Sequence, residues 1–282
     1  MKIGILGLGS LGTLMAYHNR AHTLFALPKD GRATHQAHLS HQGQLWQNLL
    51  PRWQGESLDW LILSVKAVAS IEALTAWLNH LPKVQNLLLL QNGMGQQEQV
   101  AAFLKQHQLP CTLWAAMCTE GAFNAGEYVV YAGEGKTWVG LWPKGLSDCT
   151  LPAQCQTEPL IEQALRKKLA INAVINPLTG YYRCKNGELL SQPHYHQALK
   201  ELSQEIAELY RLLGWTLDKP LIELIEQVAR DTAVNTSSTL QDILAKRPTE
   251  LPYICGYLLK QAQALHQPLP ITSRLYQALN PV

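Results

Sequence analysis

The stretch LRKKLAINAVINPLTG, residues 165–180, sets an ammonium and two carboxamides into an otherwise apolar run. Lys168, Asn172 and Asn176 follow one another at steps of four. At 3.6 residues per turn they fall within about 80° of arc on one helical face. Leu169, Ile171, Val174 and Ile175 flank this stripe and are apolar enough to bury. A solvated helix face normally spans near half the circumference and carries more charge, so a stripe this thin predicts a helix lining a wet cleft. An ammonium there can favour negative charge developing on an oxygen and then deliver a proton. Partial burial would bring its pKa toward the working range. Each carboxamide offers two donors and an acceptor, so the pair can hold a small polar ligand without adding charge.

A second constellation stands at the start of the chain, where Gly7-Leu8-Gly9-Ser10-Leu11-Gly12 spells G-x-G-x-x-G. Gly7 permits a tight turn, Gly9 lets the backbone approach a pyrophosphate, and Gly12 lets the following helix pack on the preceding strand. The helix beginning there offers unpaired N–H groups and a positive dipole end to phosphates. Following a strand and opening a helix, the pattern predicts dinucleotide binding. The end of the second strand separates NAD from NADP, an acidic group suiting ribose hydroxyls and a basic one a 2′-phosphate. There TLFALPKD puts Lys29 first, then Asp30, with Arg32 beyond, which favours NADP(H); a merely solvated Lys29 is the plain alternative. Lys66 closes LILSVK and Asn92 closes LLLLQN, both at carboxyl ends of expected strands, where such ligands bind. Asn92-Gly93 is also an ordinary turn pair.

The elements that must position these groups fall into two halves. KIGILG (2–7), TLFAL (23–27), LDWLILSV (58–65), NLLLLQ (86–91) and TLWAAM (112–117) are continuous apolar runs that suit a parallel sheet covered on both faces. Residues 10–20, 69–81 and 96–107 between them read as helices, and 127–142 as a hairpin turning at Gly133-Glu134-Gly135. A proline- and glycine-bearing seam over 143–159 follows, and beyond it 160–175, 193–213, 219–244 and 249–266 carry helix-spaced apolar residues. The expected architecture is an α/β Rossmann-type N-terminal domain, 1–159, and an all-α C-terminal domain, 160–282. The 282 residues, 47% hydrophobic and 16% charged, suffice for two cores and exclude a largely disordered chain. A net charge of +2 without basic runs gives no support for a nucleic-acid or anionic-membrane partner. The opening MKIGILGLGSLGTLMA reads as the first strand of a soluble protein rather than a signal peptide, because NRAH stands where small residues should allow cleavage. Six cysteines without C-x-x-C spacing read as reduced thiols of a cytoplasmic protein. The histidines of PHYH and THQAHLSH lack carboxylates at ligand spacing, so no metal is expected.

With the glycine loop, VKA, QNGMG, KLAINAVINPLTG, NGELL and SSTLQDI…KRPTELPYICGYLL in that order, the chain resembles the ketopantoate reductases (2-dehydropantoate 2-reductases) from residue 1 to about 275. The resemblance implies a nucleotide-binding Rossmann domain followed by a helical domain, with the site in the cleft between. It also implies reduction of 2-dehydropantoate to pantoate with NADPH, on the route to pantothenate and coenzyme A. Carried over by position, Lys168 matches the family's catalytic lysine. Asn172, Asn176, Asn186, Ser238 and Glu250 match substrate contacts, with Asn235 close to the same helix start. Lys66, Asn92 and Ala122 match cofactor contacts, and Lys29 sits where a basic group meets the 2′-phosphate. Segments 10–22 and 143–158 are shorter than the family pattern. Within that reading Lys168 is electrostatic stabiliser and general acid, and Glu250 either bonds the substrate hydroxyl or holds Lys168. Ser238-x-x-Gln241 also fits a capping box, and Asn186-Gly187 a simple turn. A small 2-oxo acid is the expected partner, and a homodimer is left open. Two other readings are a reductase of another 2-oxo acid and a non-catalytic NADPH-binding regulator, the latter at odds with the presence of Lys168 and Glu250.

Overall fold

A computed structural model describes residues 1–145 and 147–280. Residue 146 of the expected seam and the last two residues of the expected second domain lie outside the described residues. The chain divides into two compact units: Met1–Gln91 with Gln96–Ala164, and Asn92–Gly95 with the chain from Leu165 on. The short connection Asn92–Gly95 thus groups with the helical second half, which a single cut of the sequence at 159/160 does not anticipate.

In the first unit the chain runs β1 (Lys2–Leu6), α1 (Ser10–His18), β2 (Thr23–Ala26), β3 (Thr34–His41), β4 (Gln44–Pro51), β5 (Leu58–Leu63), α2 (Ser70–Thr75), β6 (Val84–Leu89), α3 (Gln96–Gln106), β7 (Thr112–Cys118), β8 (Gly121–Asn124), β9 (Val129–Gly133), β10 (Thr137–Leu141) and β11 (Cys155–Thr157). Seven strands form one sheet in the order β11-β10-β7-β6-β5-β1-β2. From β7 to β2 all neighbours are parallel, and β10 lies antiparallel on β7. The continuous apolar runs are explained by burial on both faces. Along β5, Leu61 and Leu63 join one core with Phe25, Leu87 and Leu89, while Trp60 and Ile62 join another with Ile3, Ile5 and Trp114.

A second sheet, β4-β3-β9-β8, was not legible in the sequence. Its β3–β4 hairpin turns at Gln42 and Gly43, both at positive φ (49° and 78°). The hairpin expected over 127–142 does not form: β9 pairs with β8 and β3, whereas β10 pairs with β7. The residues 133–137 cross between sheets instead of turning back. Thr119 N donates to Lys136 O (2.9 Å), and a Cβ on Gly135 would lie 2.7 Å from Thr119 and Glu120 backbone. Glu120 anchors the crossing: Tyr131 Oη and Thr137 Oγ1 donate to its carboxylate at 2.8 and 2.9 Å, and His18 Nε2 lies 2.7 Å away. Burial opposes its charge, yet these bonds prevail and hold the carboxyl below the usual carboxylate range.

The helix expected over 69–81 is broken into short 3₁₀ turns at Ala67–Ala69 and Leu78–Lys83 around α2, with Pro82 inside the second. Strand β11 occupies the expected seam and extends the large sheet.

From the boundary onward the elements are helical: α4 (Ile161–Tyr182), α5 (Glu188–Ser191), α6 (Pro193–Leu212), α7 (Leu221–Asp231), α8 (Ser238–Leu244), α9 (Leu251–Ala264) and α10 (Pro270–Leu279). α4 continues seven residues past the expected end at 175, with Pro177 inside it, and Thr179 Oγ1 donates to the Ile175 carbonyl (2.7 Å). The helix expected over 219–244 is two, α7 and α8. Thr232 interrupts it, its hydroxyl donating to Val228 O (2.6 Å) and accepting from Asn186 Nδ2 (2.9 Å). The sequence reading missed α5 and α10. Among the described residues no helix is long and apolar enough to cross a membrane.

Candidate active site

The glycine loop joins β1 to α1, and each glycine has a distinct steric setting. Gly7 has φ +104°, and a Cβ there would lie 2.6 Å from Val65 N. A Cβ on Gly12 would lie 2.0 Å from Gly7 O and 2.6 Å from Ser64 Oγ. A Cβ on Gly9 would meet nothing within 4 Å. Gly9 is the N-cap of α1 and supplies no side-chain cap, so the first amides of α1 present a cradle of backbone N–H groups. That is the shape a dinucleotide pyrophosphate needs: a close backbone, an open approach at the middle glycine and a helix N-terminus. The residues present fit such a group. Ser64, which the sequence reading passed over, braces the loop by donating to Gly7 O (2.6 Å) from the end of β5. Leu8, Ser10 and Leu11 complete the loop; Lys66 follows β5 and is half-buried. Ala122, on β8, is half-buried against Leu14, Leu39 and Val129.

After β2, Lys29 Nζ donates to Glu72 Oε1 at 2.8 Å, and both side chains are exposed. The hydrogen bond and charge of Glu72 raise the lysine pKa, and the same contacts lower that of Glu72. Arg32 binds Asp30 through Nε (2.8 Å) and Nη2, and this pairing lowers the Asp30 pKa.

In the second unit, Lys168 Nζ donates to Asn92 Oδ1 (2.7 Å), and Asn92 Nδ2 donates to Glu250 Oε2 (3.0 Å). The amide orientation follows from its neighbours, since an ammonium can only donate and a carboxylate can only accept. Lys168 is half-buried and Glu250 is buried at the N-cap of α9. The helix dipole favours a carboxylate at that end. What brings Asn92 to this place is Gly93 (φ +85°), whose absent Cβ would lie 2.3 Å from Tyr253 O; Met94 N donates to the same carbonyl (2.8 Å). Gly95 in turn lies under Tyr257, whose ring stacks with Trp215 beneath the Arg166 guanidinium. Gly93→Ala is therefore expected to shift the connection, take Asn92 out of reach of Lys168 and lower turnover by about 10-fold or more. Steady-state kinetics beside a thermal melt would show it, and an unchanged kcat would mean that the connection does not set the lysine.

Asn172 is half-buried and Asn176 buried, and among the described residues neither side chain is engaged in a hydrogen bond. Asn186 is buried: its N donates to Asn235 O (3.1 Å), and its Oδ1 makes no hydrogen bond among the described residues. Asn235 itself is exposed. The capping expectation for Ser238 is corrected. Ser237 caps α8, accepting from Leu240 N (3.2 Å) and lying 2.7 Å from Thr179 Oγ1, while Ser238 is the first helical residue and exposed. With two serines side by side, the sequence placed the cap one residue late. The structure thus joins Lys168, Asn92 and Glu250 in one network and Asn186 with the backbone of Asn235, in a unit separate from Gly7–Gly12, Lys29, Lys66 and Ala122.

A glycine loop heading a parallel sheet, with an ammonium–carboxamide–carboxylate chain in a following helical unit, defines a dinucleotide-binding oxidoreductase. Two family models, described as ketopantoate reductase PanE/ApbA and its C-terminal part, match residues 3–144 and 160–282. The 2-dehydropantoate 2-reductase of Yersinia pestis is 32% identical over 99% of this chain and 94% of its own length. That of Bacillus subtilis is 29% identical over 93% and 91%. A solved structure described as a probable 2-dehydropantoate 2-reductase of B. subtilis superposes with a TM-score of 0.80 at 27% identity, covering 99% of both chains. D-mandelate dehydrogenase solved with NADH shares the fold, with a TM-score of 0.80 at 20% identity over 99% of this chain and 97% of its own. The chain belongs to the ketopantoate reductase family.

Proposed function

We propose that this chain reduces 2-dehydropantoate to (R)-pantoate with NADPH, in the supply of pantothenate and coenzyme A. The observation that carries the reading is the chain of hydrogen bonds from Lys168 on α4 through Asn92 to Glu250 at the N-cap of α9. The cofactor supplies the hydride for the carbonyl carbon. Lys168 stabilises the charge gathering on the carbonyl oxygen and delivers the proton there. Asn92 holds the ammonium in place, and Glu250 either bonds the substrate hydroxyl or sets the lysine through Asn92. Asn172 and Asn176, one and two turns along, bind the carboxylate and hydroxyl. Asn186 offers its buried Oδ1, and Asn235 and Ser238 complete the substrate set.

Gly7 to Gly12 hold the pyrophosphate; Lys66, Asn92 and Ala122 make further cofactor contacts, and Lys29 meets the 2′-phosphate. Residues 1–159 form the nucleotide domain and 160–282 the substrate domain of this reading, which is cytoplasmic and allows a homodimer.

The test is the loss of NADPH absorbance on adding 2-dehydropantoate, repeated with NADH and with other 2-oxo acids. Turnover with 2-dehydropantoate well above the others is expected. Faster turnover of another 2-oxo acid would transfer the assignment to that substrate, and NADPH binding without any turnover would favour a non-catalytic role. In the same assay Asn176→Ala is expected to raise KM about 10-fold or more with kcat little changed, since it removes hydrogen bonds to a charged ligand. Unchanged KM and kcat would take Asn176 out of the substrate set.

A further inference from the structure

The connection after β2 carries two cations, and each already has a carboxylate. Arg32 is forked onto Asp30, its neighbour but one. Lys29 reaches across to Glu72 on α2, with Nζ and Oε1 2.8 Å apart. The two side chains are 88% and 70% exposed, so the pair is weak and a phosphate could take the lysine from it. The carboxylate, however, stays on its helix a few ångströms away. A 2′-phosphate would arrive with up to two negative charges beside Glu72, whereas NADH brings only neutral hydroxyls to the same place.

We infer that Glu72 is a specificity-determining residue for the cofactor: it occupies Lys29, repels the 2′-phosphate and so narrows the preference of this chain for NADPH over NADH. The inference rests on the assignment of Lys29 to the 2′-phosphate made under the proposed function. Lys29 alone favours the phosphate, and Glu72 takes back part of that advantage. Both groups lie in water, so the effect is a few-fold, and it weakens with salt as the screening length falls from about 10 Å at 0.1 M toward about 3 Å at 1 M.

The experiment is a fluorescence titration of the full chain with NADPH and with NADH, for wild type, Glu72→Gln and Lys29→Ala, at low and high salt. Glu72→Gln is expected to tighten NADPH about 3- to 10-fold at low salt and leave the NADH Kd within about twofold. Lys29→Ala is expected to weaken NADPH selectively. If Glu72→Gln leaves the NADPH Kd unchanged, or moves both cofactors alike while Lys29→Ala still weakens NADPH, the role of Glu72 is overturned and that of Lys29 stands. If Lys29→Ala leaves NADPH untouched, the assignment of Lys29 fails and the inference with it. Wild-type protein that binds neither cofactor would overturn the underlying function.

Discussion

Lys168→Ala is expected to lose about 10²-fold or more in turnover with 2-dehydropantoate while folding normally and binding NADPH as wild type does. The ammonium is the one cation on the polar stripe of α4, and it is held by Asn92, which in turn holds Glu250. Removing it takes away both the charge that favours the forming alkoxide and the proton that quenches it. Truncation also leaves the Asn92 amide oxygen without that donor. Lys168 is only half-buried, so water can replace the lost bond and the cost to stability is modest. The dinucleotide loop lies in the other compact unit, so its affinity is expected to persist. Steady-state kinetics, a thermal melt and an NADPH titration on one preparation separate these outcomes. Near-normal turnover would remove Lys168 as the acid.

The second large effect is expected at Gly12, and Gly9 is its control. A methyl on Gly12 would lie 2.0 Å from Gly7 O, a backbone atom that cannot rotate aside, and 2.6 Å from Ser64 Oγ. Gly12→Ala must therefore part α1 from the loop, at about 1–3 kcal/mol or more. That corresponds to roughly 2–4 °C of Tm per kcal/mol for a unit of this size, together with loss of dinucleotide binding. A methyl on Gly9 meets nothing within 4 Å. Gly9→Ala is expected to melt as wild type does yet bind NADPH about 10-fold more weakly, because the methyl enters the approach of the pyrophosphate. Wild-type affinity in Gly9→Ala would mean that the loop does not cradle the cofactor.

Features written in local pattern were legible in the sequence. The runs of β1, β5, β6 and β7 announce strands buried on both faces, and the glycine spacing announces the turn into α1. The stripe of Lys168, Asn172 and Asn176 announces a polar line on a buried helix. Features decided by distant partners were not legible. Sheet β4-β3-β9-β8 is built from mixed polar strands such as THQAHLSH, and Glu120 ties Tyr131 of its strand β9 to His18 and Thr137 from other elements. Asn92 reads from sequence as the end of a strand, and its bond to Glu250, 158 residues away, depends on Gly93 resting on the Tyr253 carbonyl. The helix expected to end at 175 runs on to Tyr182 through Pro177, with Thr179 and Ser237 bonded beside it. Glu72 carries no motif at all and enters only because folding brings it to Lys29.

The most direct test of the central claim is the pH dependence of kcat with 2-dehydropantoate at saturating NADPH, in wild type and in Lys168→Ala. A group that must be protonated to act makes the rate fall as it loses its proton. Wild type is expected to lose activity on the alkaline side with a limb reflecting one proton, and Lys168→Ala to be slow and flat over the same range. An alkaline limb that persists unchanged in Lys168→Ala would show that another group supplies the proton and would contradict the role given to Lys168.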